Sequence, residues 1–171
     1  MGGCRIDMTQ TVYILSGVSG SGKSTYIKNH NLCSVSTDEL VEEYARENNF
    51  NYTQAFDEIQ NKKLFGTLNS IFYDNIVDLV NSGKDFAIDR TSLNSFTRKS
   101  LIDLIKSNST DSLAKVVFFD IPKDIILKRL EERESKTGKS IPKDVIEKQF
   151  DSFEKPNPDE GFDSLEVVQN E

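Results

Sequence analysis

Apolar positions along this chain follow two spacings. Short runs at residues 12–15, 86–88 and 114–119, the last interrupted only by Lys115, are rich in Val, Ile, Ala and Phe and read as buried strands; residues 33–36 and 165–168 read as two more. Between these runs the apolar residues return every three or four positions, the period of a helix with one buried face. Helices are therefore expected from Lys23 to about His30, over 39–47, from Thr53 to about Asn81, from Asn94 to about Ser107, and after Pro122 and Pro142. In the longest of these, Phe56, Ile59, Leu64, Leu68, Ile71, Phe72, Ile76, Leu79 and Val80 form the core stripe, and Gly66 divides or bends it. Leu101, Ile102 and Ile105 face inward from the next, Ile126, Leu127 and Leu130 from the one after Pro122, and Val145, Ile146, Phe150 and Phe153 from the last. Strands alternating with helices point to a parallel α/β sheet.

The chain's 171 residues fit one domain, expected over 11–171, with residues 1–10 as a disordered lead-in and Met8 as an alternative start. No run approaches the roughly 18 apolar residues of a membrane span, and the first residues lack a signal-peptide core, so the cytoplasm is expected (a host's, if the protein is viral) with no membrane partner. Met1-Gly2-Gly3-Cys4 is not a myristoylation start, because Ile6 stands where Ser or Thr is needed. A net charge of −7 argues against a general attraction to nucleic acid, while leaving room for a local basic pocket that holds a strand end or one nucleotide. Cys4 and Cys33 lack metal or redox spacing, and Cys33 is expected to be a small core thiol. His30 is the sole histidine, which excludes a histidine metal cluster and suits a surface or helix-end role.

The first strand runs into GVSGSGKST, a Walker A phosphate-binding loop. Gly17, Gly20 and Gly22 allow consecutive amides to turn inward around a polyphosphate, and the following helix aims its unpaired N–H groups at the same anion. Gly17, Ser19, Gly20, Ser21, Gly22, Lys23, Ser24 and Thr25 are thus the expected nucleotide-binding residues. Lys23 supplies charge to the β- and γ-phosphates, and Ser24 a hydroxyl for Mg²⁺.

Three further features lie where a parallel sheet places ligands, beyond the carboxyl ends of its strands. Asp38 follows the second strand, as catalytic group or, with Thr37, as helix cap. Asp89 ends an apolar strand, in reach of a metal shell or as a turn residue. Arg129 and Arg133 share one helix face, either paired with Glu132 or Glu134 or serving to neutralise a phosphoryl group in transit. SKTGKS at 135–140 reads as a flexible basic lid loop and not a second phosphate loop, since no glycine stands five residues before Gly138. Arg98 and Lys99 are expected on the surface.

With these residues located, the chain from Val12 to Val168 resembles the kinase module of bacteriophage-type polynucleotide 5′-hydroxyl kinases, within the P-loop kinases. The segments that carry the resemblance are GVSGSGKST, Ser36-Thr37-Asp38, AIDRTSLNSFTRK, FFDIPKDIILKRLEER and FEKPNPDEGFD. It implies a central parallel sheet with helices on both faces and a lid of helix and loop. It also implies ATP and Mg²⁺ as cofactors and transfer of the γ-phosphoryl to a hydroxyl. By position, Asp38 would be the general base, Lys23 and Ser24 would hold phosphates and Mg²⁺, Asp89 would organise the metal, and Arg133, supported by Arg129, would be the lid arginine. Two positions depart from the family pattern: Val41 stands where an arginine takes the substrate's phosphate, and IDRTS around Arg90 replaces IDNTN. The expected acceptor is a DNA or RNA 5′ end. The alternatives are a nucleoside, nucleotide or other small hydroxyl compound, or a regulatory ATPase with no acceptor.

Overall fold

The computed structural model describes residues 9–169. Strand β1 (Thr11–Ser16) leads through the glycine loop into helix α1 (Lys23–Asn29), β2 (Cys33–Ser36), α2 (Thr37–Asn48), α3 (Tyr52–Asn61) and α4 (Phe65–Ser82). Then follow β3 (Phe86–Asp89), α5 (Ser95–Asn108), β4 (Leu113–Asp120), α6 (Lys123–Thr137), α7 (Lys143–Asp151), a 3₁₀ turn (Pro158–Glu160) and β5 (Ser164–Gln169). The strands form one five-stranded, all-parallel sheet in the order β2-β3-β1-β4-β5.

Helices cover both faces, and strand alternation decides which residue meets which helix. Val12 and Ile14 of β1 pack with Phe72, Ile76 and Val80 of α4 and with Leu101, Ile102 and Ile105 of α5. Leu15, on the opposite face, joins Tyr26 of α1 and Ile126 of α6. A satellite cluster of Val41, Ala45, Ala55, Ile59 and Leu68 holds α2, α3 and α4 together beside the sheet. The chain leaves β1 toward β2 on one side and leaves β3 toward β4 on the other, so the switch in direction opens at the carboxyl ends of β1 and β3. That is where the glycine loop, Asp38 and Asp89 converge.

Several local expectations are corrected. The long helical stretch breaks at Lys62–Leu64, with Lys63 in the left-handed region (φ 56°), whereas Gly66 sits inside the first turn of α4. Neither Thr37 nor Asp38 caps α2: the Ser36 hydroxyl accepts from the Asp38 amide, and Asp38 lies in the first turn. Residues 135–137 of the expected lid loop are helical, and α6 ends on Gly138 (φ 69°). Cys33 is exposed, because it opens an edge strand whose outer side has no neighbour. Phe56, Ile71, Leu127 and Val145, expected in the core, are exposed. His30 ends α1 as expected. Residues 1–8, with Cys4 and Met8, lie outside the described residues. Gln10, within the expected lead-in, is buried and anchored, donating from its side chain to the carbonyls of Leu79 (2.9 Å) and Lys84 (2.6 Å). Among the described residues no helix is long and apolar enough to cross a membrane.

Candidate active site

The glycine loop owes its path to two different glycine properties. A Cβ on Gly17 would come within 2.5 Å of Ser21 Oγ and 2.9 Å of Phe119 Cβ, so only hydrogen fits. Gly22 has φ 106°, a backbone that L side chains rarely adopt, and it delivers the chain into α1. The Gly17 amide donates to Thr91 O (2.9 Å), which ties the loop to the segment after Asp89. Ser24 and Thr25 lie exposed in the first turn of α1, at the mouth of the loop. Ser21 Oγ is buried with no hydrogen-bond partner, and the Ser19 amide donates to the Gln149 side-chain oxygen at 2.9 Å.

Lys23 folds back over this loop, its Nζ donating to Gly17 O (2.9 Å) and Val18 O (3.1 Å). Burial of the ammonium pulls its pKa down to about 8, opposed by the nearby carboxylates of Asp89 and Asp38 and reinforced by Arg133. The other three side chains thus lie within electrostatic reach of Lys23, and Asp38 within reach of Asp89. Burial pushes the Asp89 carboxyl above its usual range; Lys23 draws it back and Asp38 adds to the rise. Asp38 is exposed and accepts from Tyr52 Oη at 2.9 Å. Arg129 Nη1 donates to Ser21 O (3.3 Å), and Arg133 Nε is buried with no hydrogen-bond partner. Both arginines thus stand beside the loop.

Among the described residues no group of three or more His, Cys, Asp or Glu side chains could hold a metal by itself. What remains fits Mg²⁺ in the manner of a nucleotide site: one half-buried carboxylate, Asp89, and one hydroxyl, Ser24, the other ligands coming from phosphates and water.

Beyond Asp38 a cleft of about 460 Å³ opens between α2, α3 and α4. Its walls include Asp38, Val41, Tyr52, Phe56, Phe65 and Arg90, and none of the glycine-loop residues. The loop after α6 leans over its rim: Lys139 pairs with Glu42 of α2 (3.2 Å) and lies over the Tyr52 ring, 5.3 Å from its centroid.

A model of the AAA domain family matches residues 12–156. The chain belongs to this AAA domain family. No curated protein sequence matches it. Solved structures with the same fold include a protein from Chloroflexus aurantiacus described provisionally as a kinase, at TM-score 0.65 and 14% identity over 94% of this chain and 85% of that one. A gluconokinase from Sinorhizobium meliloti follows at TM-score 0.55 and 17% identity, over 93% of this chain and 82% of that one. The Pnkp1/Rnl/Hen1 RNA repair complex contains a chain similar at TM-score 0.59 and 22% identity, over 84% of this chain and 44% of that one. The fold of this AAA domain protein is therefore P-loop kinase-like.

Sequence reasoning missed two contributors to the framework of this AAA domain. Arg98, expected on the surface, is fully buried and forms a two-pronged ion pair with Glu160, both bonds 2.8 Å. Its Nη1 also donates to Ser92 O (3.2 Å), Leu93 O (3.1 Å) and Ser16 Oγ (3.3 Å), pinning the chain beyond Asp89 against the end of β1. The second is Tyr52, which holds the Asp38 carboxylate. The signal for the first was an arginine amid the apolar face of a helix, with Glu160-Gly161-Phe162 downstream. For the second no local signal exists, because the contact depends on how α3 docks on α2.

Proposed function

We propose that this protein is an ATP- and Mg²⁺-dependent phosphotransferase that moves the γ-phosphoryl of ATP to a hydroxyl, namely the 5′-hydroxyl at the end of a nucleic-acid strand. The observation that carries the reading is Asp38: a carboxylate outside the phosphate loop, within electrostatic reach of Lys23, at the entrance to a separate cleft. A nucleotide switch needs no such group, so the regulatory ATPase is the weaker reading.

In this reading the loop amides from Gly17 to Thr25 and the Lys23 ammonium bind the β- and γ-phosphates. Ser24 and Asp89 would hold Mg²⁺, which when bound offsets phosphate charge. Tyr52 donates to one Asp38 oxygen and so orients the carboxylate toward the acceptor hydroxyl. Asp38 takes that hydroxyl's proton as its oxygen bonds to the γ-phosphorus and the bond to the β,γ-bridging oxygen breaks, releasing ADP. Arg133 and Arg129, beside the loop, supply positive charge to the phosphoryl oxygens in flight. Transfer to a nucleoside or other small compound is the second reading; Val41 in the cleft wall favours it, and so does fold similarity to a gluconokinase.

The test is transfer of labelled γ-phosphate to 5′-hydroxyl oligonucleotides, nucleosides, nucleotides and buffer alone. Label on oligonucleotides is expected; label on small acceptors only would sink the nucleic-acid reading, and phosphate release with no labelled acceptor would favour the regulatory ATPase. Asp38→Asn should slow transfer by about 10²- to 10⁴-fold with nucleotide affinity unchanged, because the group acts on the acceptor alone. Wild-type rates in that variant would remove Asp38 from the mechanism.

A further inference from the structure

Gln149 is a polar residue on the apolar face of its helix. Ile146, Gln149 and Phe150 recur at the spacing that turns one side of α7 inward, where Ile146 is buried and Phe150 packs on the cluster that contains Leu15 and Tyr26. A half-buried amide in that position costs stability unless it finds a partner. Its partner is the Ser19 amide, 130 residues earlier in the glycine loop, which donates to Gln149 Oε1 at 2.9 Å. A backbone N–H can only donate, so the atom that faces the loop is the side-chain oxygen.

The same peptide unit has a second hold. Its carbonyl, Val18 O, accepts from Lys23 Nζ (3.1 Å) and from the Ser21 amide (3.1 Å), and the Val18 side chain is fully buried. No peptide bond among the described residues is cis, and a trans unit turns its N–H and its C=O to opposite sides. Gln149 and Lys23 therefore grip the Val18–Ser19 unit from opposite sides, and the orientation that satisfies one presents the carbonyl to the other. The next loop residues are held from α6: a Cβ on Gly20 would come within 3.0 Å of Leu130, and Arg129 Nη1 donates to Ser21 O at 3.3 Å. Lys123, which opens α6, pairs with Glu147 of α7 (2.7 Å) and lies 5.1 Å from the centroid of Phe150. Ser19, Gly20 and Ser21 are thus clasped by one helix pair, and Gln149 is the contribution of α7 to the clasp.

We infer that Gln149 is a positioning residue of the donor site: through the Val18–Ser19 peptide it fixes the carbonyl that anchors Lys23, so that the ammonium stands ready for the β- and γ-phosphates of a nucleoside triphosphate. The inference rests on the nucleotide-binding half of the phosphotransfer reading. In this role Gln149 touches no phosphate; it orders the loop in advance and so lowers the cost of ordering it on binding. Without the side-chain oxygen the peptide unit is held from one side only, and Gly17 O, 2.9 Å from Lys23 Nζ, is left as the ammonium's one steady anchor. The loss falls on ligands that carry a β-phosphate and spares those that do not, because the lysine serves those phosphates alone.

The test compares the wild type with Gln149→Met, which keeps the length of the side chain and removes the acceptor. Hydrogen exchange of the Ser19 amide, followed by NMR, should quicken about tenfold in the variant. Titration calorimetry should show about tenfold weaker binding of a non-hydrolysable ATP analogue, with AMP affinity unchanged. AMP shares the nucleoside and lacks the β- and γ-phosphates, so an equal loss for both ligands would make Gln149 a general prop for α7 and overturn the inference. Gln149→Glu retains an acceptor oxygen and should return Ser19 exchange to the wild-type rate; exchange that stays fast would show that the hydrogen bond does not protect the amide, and would also overturn it. A wild-type protein that binds neither nucleotide would defeat the donor-site reading and the inference with it. Analogue affinity that survives Gln149→Met would overturn the inference alone and leave that reading standing.

Discussion

In the proposed reaction Lys23 is the residue on which nucleotide binding turns, and its charge is conditional. Burial has pulled it down to about 8, so in the nucleotide-free protein it is cationic below that pH and increasingly neutral above it. Phosphates favour the charged form, so binding above pH 8 must first return a proton to the amine. The Kd of an ATP analogue should therefore rise on the order of tenfold between pH 7 and 9.5, as read by titration calorimetry. A Lys23→Arg variant, always charged, should bind with a flat profile over the same range. A flat wild-type profile would mean that the lysine keeps its proton despite its enclosure. The identity of this group was legible from GVSGSGKST alone, because a phosphate loop is a local device whose residues are neighbours in sequence. Tyr52 and Arg90 were not legible, since each acquires its place from strand register and helix docking that no local pattern encodes.

Elements were easiest to read where their ends carry local punctuation. Strand β3 ends at an aspartate after an apolar run, and α5 starts at Asn94, whose side chain accepts from the Thr97 amide. The break between α3 and α4 was misassigned because a glycine is the usual breaker, whereas the chain turns at Lys63 and leaves open space around Gly66, where an added Cβ would meet nothing within 4 Å. Gly66→Ala should accordingly raise stability by about 0.5 kcal/mol in urea denaturation, since alanine suits a helix better than glycine. Destabilisation would restore Gly66 as the hinge. Arg98 is the opposite case, a charge read as surface that holds α5 to the turn at Pro158–Glu160. Its partner lies 62 residues away, which no periodicity can reveal. Removing it strands the Glu160 carboxylate, 4% exposed, in the interior, so Arg98→Ala should cost about 3–5 kcal/mol in the same denaturation experiment. A loss under about 1 kcal/mol would mean that water reaches the pair.

At the scale of the whole molecule, the sheet gathers three strand ends at one switch point, and charge is arranged locally against the overall balance. The protein carries −7, yet Lys23, Arg129 and Arg133 stand at the glycine loop and Arg90 is the one cation among the described cleft-lining residues. The net charge was readable from composition; the placing of positive groups at the loop and in the neighbouring cleft was not, since it follows from strand order. This distribution sets how a nucleic acid would be held. Each phosphate neutralised on a single strand releases condensed counter-ions and contributes a slope of about −0.7 to the plot of log K against log salt concentration. With one arginine among the cleft-lining residues, that slope should stay close to about −0.7 for a 5′-hydroxyl oligonucleotide measured between roughly 50 and 200 mM salt. Lengthening the strand beyond two or three nucleotides should add little affinity, because a net charge of −7 gives later phosphates no overall attraction. A slope several times steeper, or affinity that climbs with strand length, would require a basic track along the surface. The strand would then be held along its length, and recognition at a single end would no longer account for binding.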